Sequence, residues 1–421
     1  MSYVSRHLQA KIIDTLKTGP VLFLNGPRQA GKSTLVRRLA DTAFPAEYVS
    51  FDNATQMAAA VNSPETFLRA RNKELIIDEV QLAPEIFREL KILVDEFRQQ
   101  NWQGETDLKP KFLLTGSANI MALPKLADAL VGRMHILTLY PLAASEVTSG
   151  KSDFIERLFA GRFMADKNAY ALKEVICTAT FPEIHRATEK TRTNWFNAYL
   201  TTILQRDVRA LAEITRLSSL PNLLRILAAR AGSLINDADI ARDARLNAMT
   251  SRNYKTLLSM LFLTFEVRPW YRNIGKRLVK SAKGYLIDTL LLCHLLQYRL
   301  EDLEKNRPEI FGHVLENFVA TELVKLMAIE AQNMELYHFR TSDNKEVDFV
   351  IEKPDGHLVG IEVKNSDRAN AADFKGLSVL QSLVGTDFIC GVVLYRGREA
   401  VPFGKNLWAV PIANLFDCGQ N

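Results

Sequence analysis

The first 150 residues alternate short continuous apolar runs with segments whose apolar residues recur at helical spacing. Residues 20–25, Pro-Val-Leu-Phe-Leu-Asn, end at Gly26 and have the pattern of a strand buried on both faces. Leu75-Ile76-Ile77 and Phe112-Leu113-Leu114 predict two more such strands, and Ile136 to Leu139 a fourth. Leu35, Val36 and Leu39 predict a helix after the first strand, and Ile86, Leu90, Leu93, Val94 and Phe97 a helix covering one face of the sheet.

Past Gly150 the alternation stops and helical spacing dominates through Trp195, Tyr199, Ile203 and Leu204. Helices are expected from Leu220 to Ala231, from Asp237, and from Asn247 to Met260, followed by a hairpin of Leu261 to Val267 and Lys276 to Lys280. Three helices and a hairpin in that order predict a winged-helix module. Glu309 to Glu330 reads as a long helix. Strands follow at Glu335 to Phe339, Val347 to Ile351 and Leu358 to Val363, then a helix from Ala371 to Leu383 and a strand from Phe388 to Leu394. The expected fold class is α/β, with domains at 1–150, 151–300 and 301–421.

A length of 421 residues accommodates two or three domains, and 47% hydrophobic with 24% charged residues is a globular composition. The four cysteines (177, 293, 390 and 418) lie far apart, which argues against a disulfide framework or a zinc cluster. No apolar run approaches the roughly 18 residues that span a bilayer, so a cytoplasmic protein with no membrane partner is expected. The net charge of +5 is unevenly placed: residues 183–284 hold 18 Lys and Arg against 8 Asp and Glu. A basic middle is suited to a nucleic-acid backbone, DNA favoured.

The first strand runs into Gly26-Pro27-Arg28-Gln29-Ala30-Gly31-Lys32-Ser33-Thr34, a GxxxxGK[ST] sequence between strand and helix. Its glycines let backbone N–H groups wrap phosphates at a helix N-terminus. Lys32 is expected to reach the β- and γ-phosphates and Ser33 to ligate Mg²⁺. Asp78 and Glu79, after Leu75-Ile76-Ile77, supply a carboxylate to orient the hydrated metal and a general base for the attacking water. Thr115 or Ser117 would sense the γ-phosphate from a third strand end. Arg133 is expected either to contact a neighbouring subunit's γ-phosphate or to form a surface salt bridge.

These residues resemble the bacterial and archaeal AAA-type ATPases that carry an uncharacterised C-terminal region. The likeness rests on Gly26 to Ser33, Ile76-Ile77-Asp78-Glu79-Val80-Gln81, Leu114-Thr115-Gly116-Ser117 and Leu130-Val131-Gly132-Arg133 with Pro141-Leu142. It continues into Gln205-Arg206-Asp207-Val208 and Leu315-Glu316-Asn317-Phe318-Val319, nearly the whole chain. The resemblance implies ATP binding, a nucleic-acid or defence context, and a homo-oligomer with ATP between subunits.

In the basic middle, Ser251, Arg252 and Lys255 would lie on a recognition helix, and Arg268, Arg272, Lys276, Arg277 and Lys280 on a wing facing phosphates. In the last third, helix, three strands, helix and strand is the core order of restriction-endonuclease-like folds. Glu362 and Lys364 leave one strand on the same face, with Asp348 on the preceding strand. This constellation resembles PD-(D/E)xK nucleases. By that resemblance Asp348, Glu362 and Glu316 would hold a second divalent ion, Mg²⁺ or Mn²⁺, and Lys364 would position or deprotonate water. Two functions are therefore expected: an ATPase controlling DNA engagement and metal-dependent cleavage, or an ATP-driven switch or signalling ATPase whose nuclease-like domain only binds nucleic acid or protein.

Overall fold

A computed structural model describes residues 3–71, 74–102, 111–117, 132–165, 171–208, 217–273, 275, 277 and 280–416. The chain divides into two compact units, one formed by residues 5–141 and 260–262, the other by residues 142–259, 263–421 and the first four residues. No described helix is long and apolar enough to cross a membrane.

The first unit is built on a five-stranded parallel sheet of β1 (Val21–Asn25), β2 (Glu47–Ser50), β3 (Leu75–Asp78), β4 (Phe112–Thr115) and β5 (Met134–Thr138), in the order β2-β3-β4-β1-β5. Every residue of β1, β3 and β4 is buried, as their unbroken apolar runs require. Phe23, Ile77 and Leu114 of these strands pack with Ile86, Phe87 and Leu90 of the helix Ile86–Trp102. The fourth expected strand starts two residues early, at Met134, and β2 was not anticipated. β2 is an edge strand with Glu47 exposed and only Val49 buried, so it carries no apolar run.

The second unit contains an eight-stranded mixed sheet in the order β12-β13-β11-β10-β9-β8-β6-β7. Its members are β6 (Thr264–Pro269), β7 (Lys283–Leu286), β8 (Glu335–Arg340), β9 (Glu346–Glu352), β10 (Leu358–Val363), β11 (Phe388–Tyr395), β12 (Val401–Gly404) and β13 (Leu407–Pro411). β8, β9 and β10 pair antiparallel in succession, and β10 pairs parallel with β11. The long helix Pro308–Ile329 precedes β8, and the helix Lys375–Val384 lies between β10 and β11 in sequence.

The helices Leu220–Ala229, Asp237–Asp243 and Ala248–Met260 occur as expected, but the hairpin after them does not stand apart as a wing. The strand expected at Leu261 begins at Thr264. Its return is β7, beginning at Lys283 rather than Lys276. β6 also pairs parallel with β8, Arg268 opposite Tyr337 and Pro269 opposite His338, so the hairpin extends the C-terminal sheet. The physical reason is backbone pairing: β6 has one edge left after β7 takes the other, and β8 supplies its partner. Of the wing residues, Lys276 lies outside the described residues.

Candidate functional site

The loop between β1 and the helix Lys32–Asp41 is shaped by positions that favour left-handed backbone. Gly26 has φ +137° and Gly31 φ +94°. A Cβ on Gly26 would run into the Leu139 carbonyl oxygen, so only glycine lets the chain turn there. Asn25 accepts a hydrogen bond from the Thr138 hydroxyl at 2.7 Å, and Arg6 donates to the Ala30 carbonyl at 2.8 Å, which fixes both ends of the loop. Pro27 and Ala30 are buried, Arg28 is half-buried, and Gln29 and Thr34 are exposed.

Lys32 is folded onto its own loop, donating to the Gly26 and Pro27 carbonyls at 2.9 Å each. Burial lowers its pKa to about 8, with the Arg28 charge adding to the effect and the carboxylates of Glu79 and Asp78 opposing it.

Ser33 donates to Asp78 Oδ1 at 3.1 Å, bringing together the two expected metal-side oxygens across 45 residues of sequence. Both are hard oxygen donors. Mg²⁺ takes one or two protein oxygens and fills its octahedron with phosphate oxygens and water, so this pair fits it. Two more hydroxyls hold the carboxylate: Tyr48 donates to Oδ2 at 2.6 Å, and Thr115, like Ser33, donates to Oδ1. Tyr48 is in turn covered by Arg37, whose guanidinium carbon is 4.6 Å from the ring centroid.

Glu79 leaves β3 with φ +56° and ψ +43°, an unusual conformation for a side-chain-bearing residue. Its N–H donates to Thr115 Oγ1 at 3.2 Å and its carboxylate accepts from the Gln81 side-chain amide. Gln81 Nε2 also lies 3.5 Å from Ser117 Oγ, so Gln81 links the expected base to the end of β4. A Cβ on Gly116 would approach Gln81 Oε1 to 2.8 Å, and its absence makes room for this link. Arg133 forms a two-pronged pair with Asp95, at 2.6 and 2.9 Å. Leu130 and Val131 lie outside the described residues.

The second candidate site sits on the eight-stranded sheet. Asp348 is the third residue of β9, Glu362 the fifth of β10, and both are buried. Asp348 Oδ2 accepts the Val363 N–H at 3.0 Å, and Lys364 donates to Glu362 Oε1 at 2.8 Å. Glu362 Oε2 is buried with no hydrogen-bond partner among the described residues. Burial, then the Asp348 charge, pushes the Glu362 carboxyl up to about 8 despite Lys364.

Glu316, from the long helix, does approach Asp348, but through a residue the motif does not contain. Lys283 Nζ donates at 3.0 Å to both Glu316 Oε1 and Asp348 Oδ1. The Tyr285 hydroxyl donates to the same Glu316 oxygen at 2.7 Å. Among the described residues no group of three or more His, Cys, Asp or Glu side chains is placed to hold a metal ion. Of the expected ligand set, Glu316 and Asp348 share the Lys283 ammonium, and Glu362 Oε1 accepts from Lys364.

In the basic middle, Ser251 is buried and Lys255 pairs with Asp237 at 2.7 Å and Glu266 at 3.4 Å. Arg277 pairs with Glu352. These three are turned inward rather than toward a phosphate backbone. Arg252, Arg268, Arg272 and Lys280 are exposed.

Sequence reasoning gave no role to Tyr48, Gln81, Lys283 or Tyr285. Gln81 was in view, two residues after Glu79, while Tyr48 and Lys283 lie far in sequence from the carboxylates they serve.

Residues 18–148 match the family model described as an AAA domain. Residues 169–302 and 311–415 match two models described as domains of unknown function, DUF8612 and DUF4143. The chain is 28% identical over 422 residues to an uncharacterized protein of Mycobacterium tuberculosis, covering 99% of this chain and 85% of that protein. It is 22% identical over 368 residues to an uncharacterized protein of Haemophilus influenzae, 84% of each. Among solved structures, it is similar to a Walker-type ATPase of Pyrococcus abyssi at 14% identity and TM-score 0.43, covering 70% of this chain and 96% of that one. The AAA-domain match spans Gly26 to Ser33, Asp78, Glu79 and Thr115, and supports an AAA-type P-loop ATPase for this part of the chain.

Proposed function

We propose that the protein hydrolyses ATP at the P-loop of its first unit, and that the nucleotide cycle switches a second unit that engages nucleic acid without cutting it. The observation that carries the ATPase reading is the meeting of Ser33 with Asp78 at 3.1 Å beside Lys32 and Glu79. Loop N–H groups and Lys32 bind and orient the triphosphate. Mg²⁺, held by Ser33 with Asp78 behind it, would neutralise charge on the β- and γ-phosphate oxygens. Glu79 takes a proton from the water as its oxygen attacks the γ-phosphorus and the bond to the bridging oxygen breaks, leaving ADP and phosphate. Gln81 and the Thr115 hydroxyl hold Glu79 for that transfer.

For the second unit, exposed Arg252, Arg268, Arg272 and Lys280 support nucleic-acid engagement. The element order and the placement of Asp348, Glu362 and Lys364 resemble a PD-(D/E)xK layout, which favours cleavage as a second reading. Lys283 between Glu316 and Asp348 is why binding is preferred.

Phosphate release and DNA integrity, measured on linear and circular DNA in Mg²⁺ or Mn²⁺, test both halves. Lys32→Ala should lose nucleotide binding, while Glu79→Gln should bind ATP and hydrolyse it at least about 100-fold more slowly. Equal rates in Glu79→Gln and the parent would reject Glu79 as the base. DNA should remain intact; cleavage abolished by Glu362→Ala would establish the nuclease reading instead.

A further inference from the structure

We infer that Lys283 is the resident cation of the acidic cluster on the C-terminal sheet, and that the cluster takes no divalent ion while Lys283 is in place. This deepens the non-cleaving reading of the second unit and is independent of ATP hydrolysis.

Lys283 opens β7, where Val267 of β6 is its antiparallel partner, and Leu234 bridges it from the other side. Around it, Ile235 N donates to the Ala282 carbonyl at 2.8 Å and Gly232 N to the Gly284 carbonyl at 2.9 Å. A lysine pinned on both sides delivers its ammonium to a defined place. The side chain is only 7% exposed, so the charge cannot be satisfied by bulk water.

The carboxylates are arranged around that ammonium. Asp348 turns one oxygen to the Val363 N–H and the other to Lys283. Glu316 gives one oxygen to both Lys283 and Tyr285. Gly232, at φ +78°, makes room for the rest of the group, because a Cβ there would come within 3.1 Å of Glu316 Oε2. The Glu316 and Asp348 oxygens that face Lys283 thus already have donors at hydrogen-bond distance.

A divalent ion needs the same oxygens at about 2.0–2.6 Å, with several more oxygens around it. To admit one, the protein would have to move the ammonium out of the cluster or hold two cations against each other in a buried space. Either is costly where charges are removed from water. Glu362 brings only one unengaged oxygen, its buried Oε2, since its Oε1 is taken by Lys364 at 2.8 Å, and one oxygen does not make up the set a divalent ion needs.

The test is Mn²⁺ binding to the full-length, nucleotide-free protein, followed by electron paramagnetic resonance. All variants carry Asp78→Asn, which removes the P-loop contribution. With Lys283 present, no bound Mn²⁺ sensitive to Asp348→Asn should appear up to about 1 mM, the weak end of protein sites for hard divalent cations. Lys283→Met should create a site at least about tenfold tighter, lost again when Asp348→Asn is added, and Mn²⁺ should raise the melting temperature of Lys283→Met alone. Lys283→Gln serves the same purpose if the methionine variant does not fold. An Asp348-dependent Mn²⁺ site in the protein that retains Lys283 would overturn the inference. So would a folded Lys283→Met or Lys283→Gln protein that binds Mn²⁺ no better. Because the readout is metal occupancy, failure to find a nucleic-acid partner leaves the inference standing.

Discussion

Tyr48 donates its phenol hydrogen to Asp78 Oδ2 at 2.6 Å, from the strand adjacent to the one that ends in that aspartate. With Ser33 and Thr115 on Oδ1, the carboxylate has donors on both oxygens and little freedom to rotate. Burial and this hydrogen bond push the Tyr48 phenol up to about 12, so it stays a donor at any working pH.

Tyr48→Phe is expected to raise the Mg²⁺ concentration for half-maximal ATP hydrolysis by about tenfold, because partners behind a metal-side carboxylate commonly contribute that much. ATP binding measured without metal should change little. An unchanged Mg²⁺ dependence would make Tyr48 a packing residue only.

The second unit also holds a buried ion pair between Glu322 and Lys325. Glu322 is fully buried, accepts from Lys325 at 2.7 Å and takes the Ala144 N–H at 2.7 Å, while Lys325 also donates to the Leu142 carbonyl at 3.0 Å. Lys325→Met would leave a buried carboxylate uncompensated and should cost about 3–5 kcal/mol. Adding Glu322→Gln, which keeps an acceptor for Ala144, should restore a large part of the loss. Urea unfolding monitors both; a single variant within about 0.5 kcal/mol of the parent, the range of ordinary surface changes, would show that the pair holds nothing.

His338 supplies a pH dependence. Its Nε2 lies 3.2 Å from the Ser281 carbonyl and so carries the hydrogen, while Nδ1 is buried with no partner among the described residues. Burial lowers its pKa to about 4, the charges of Lys283 and Arg340 act the same way, and Asp348 and the Ser281 carbonyl oppose them. The unfolded chain binds a proton near pH 6.5, so the neutral histidine's contribution is complete above that value and is lost as pH falls toward 4. Between pH 7.5 and pH 5 this amounts to about 2 kcal/mol. His338→Gln keeps a donor for Ser281 and should flatten the corresponding part of the acid slope in denaturant midpoints; an unchanged slope would exclude His338 as its source.

Much of the first site was legible because its chemistry is local. Gly26 to Thr34 are contiguous, and Asp78 and Glu79 directly follow an apolar run, so a reading of neighbours finds them. The bounds of β10, Leu358–Val363, were also predictable, since an apolar run bounded by a turn carries its own signal. Glu362 and Lys364 share a face by alternation alone.

What the tertiary structure decided is non-local. Tyr48 meets Asp78 across 30 residues, and Lys283 meets Glu316 and Asp348 across 33 and 65. No period or spacing encodes those meetings, because they follow from which strand edges find each other. β6 turns from an expected wing into a strand of the C-terminal sheet once it pairs with β8, and β7 then delivers Lys283 to the acidic cluster. The sequence by itself determined where phosphate-binding and carboxylate chemistry is located along the chain. Only the folded sheet decided which charge sits between those carboxylates, since the energy of a buried charge depends on neighbours that the linear order does not reveal.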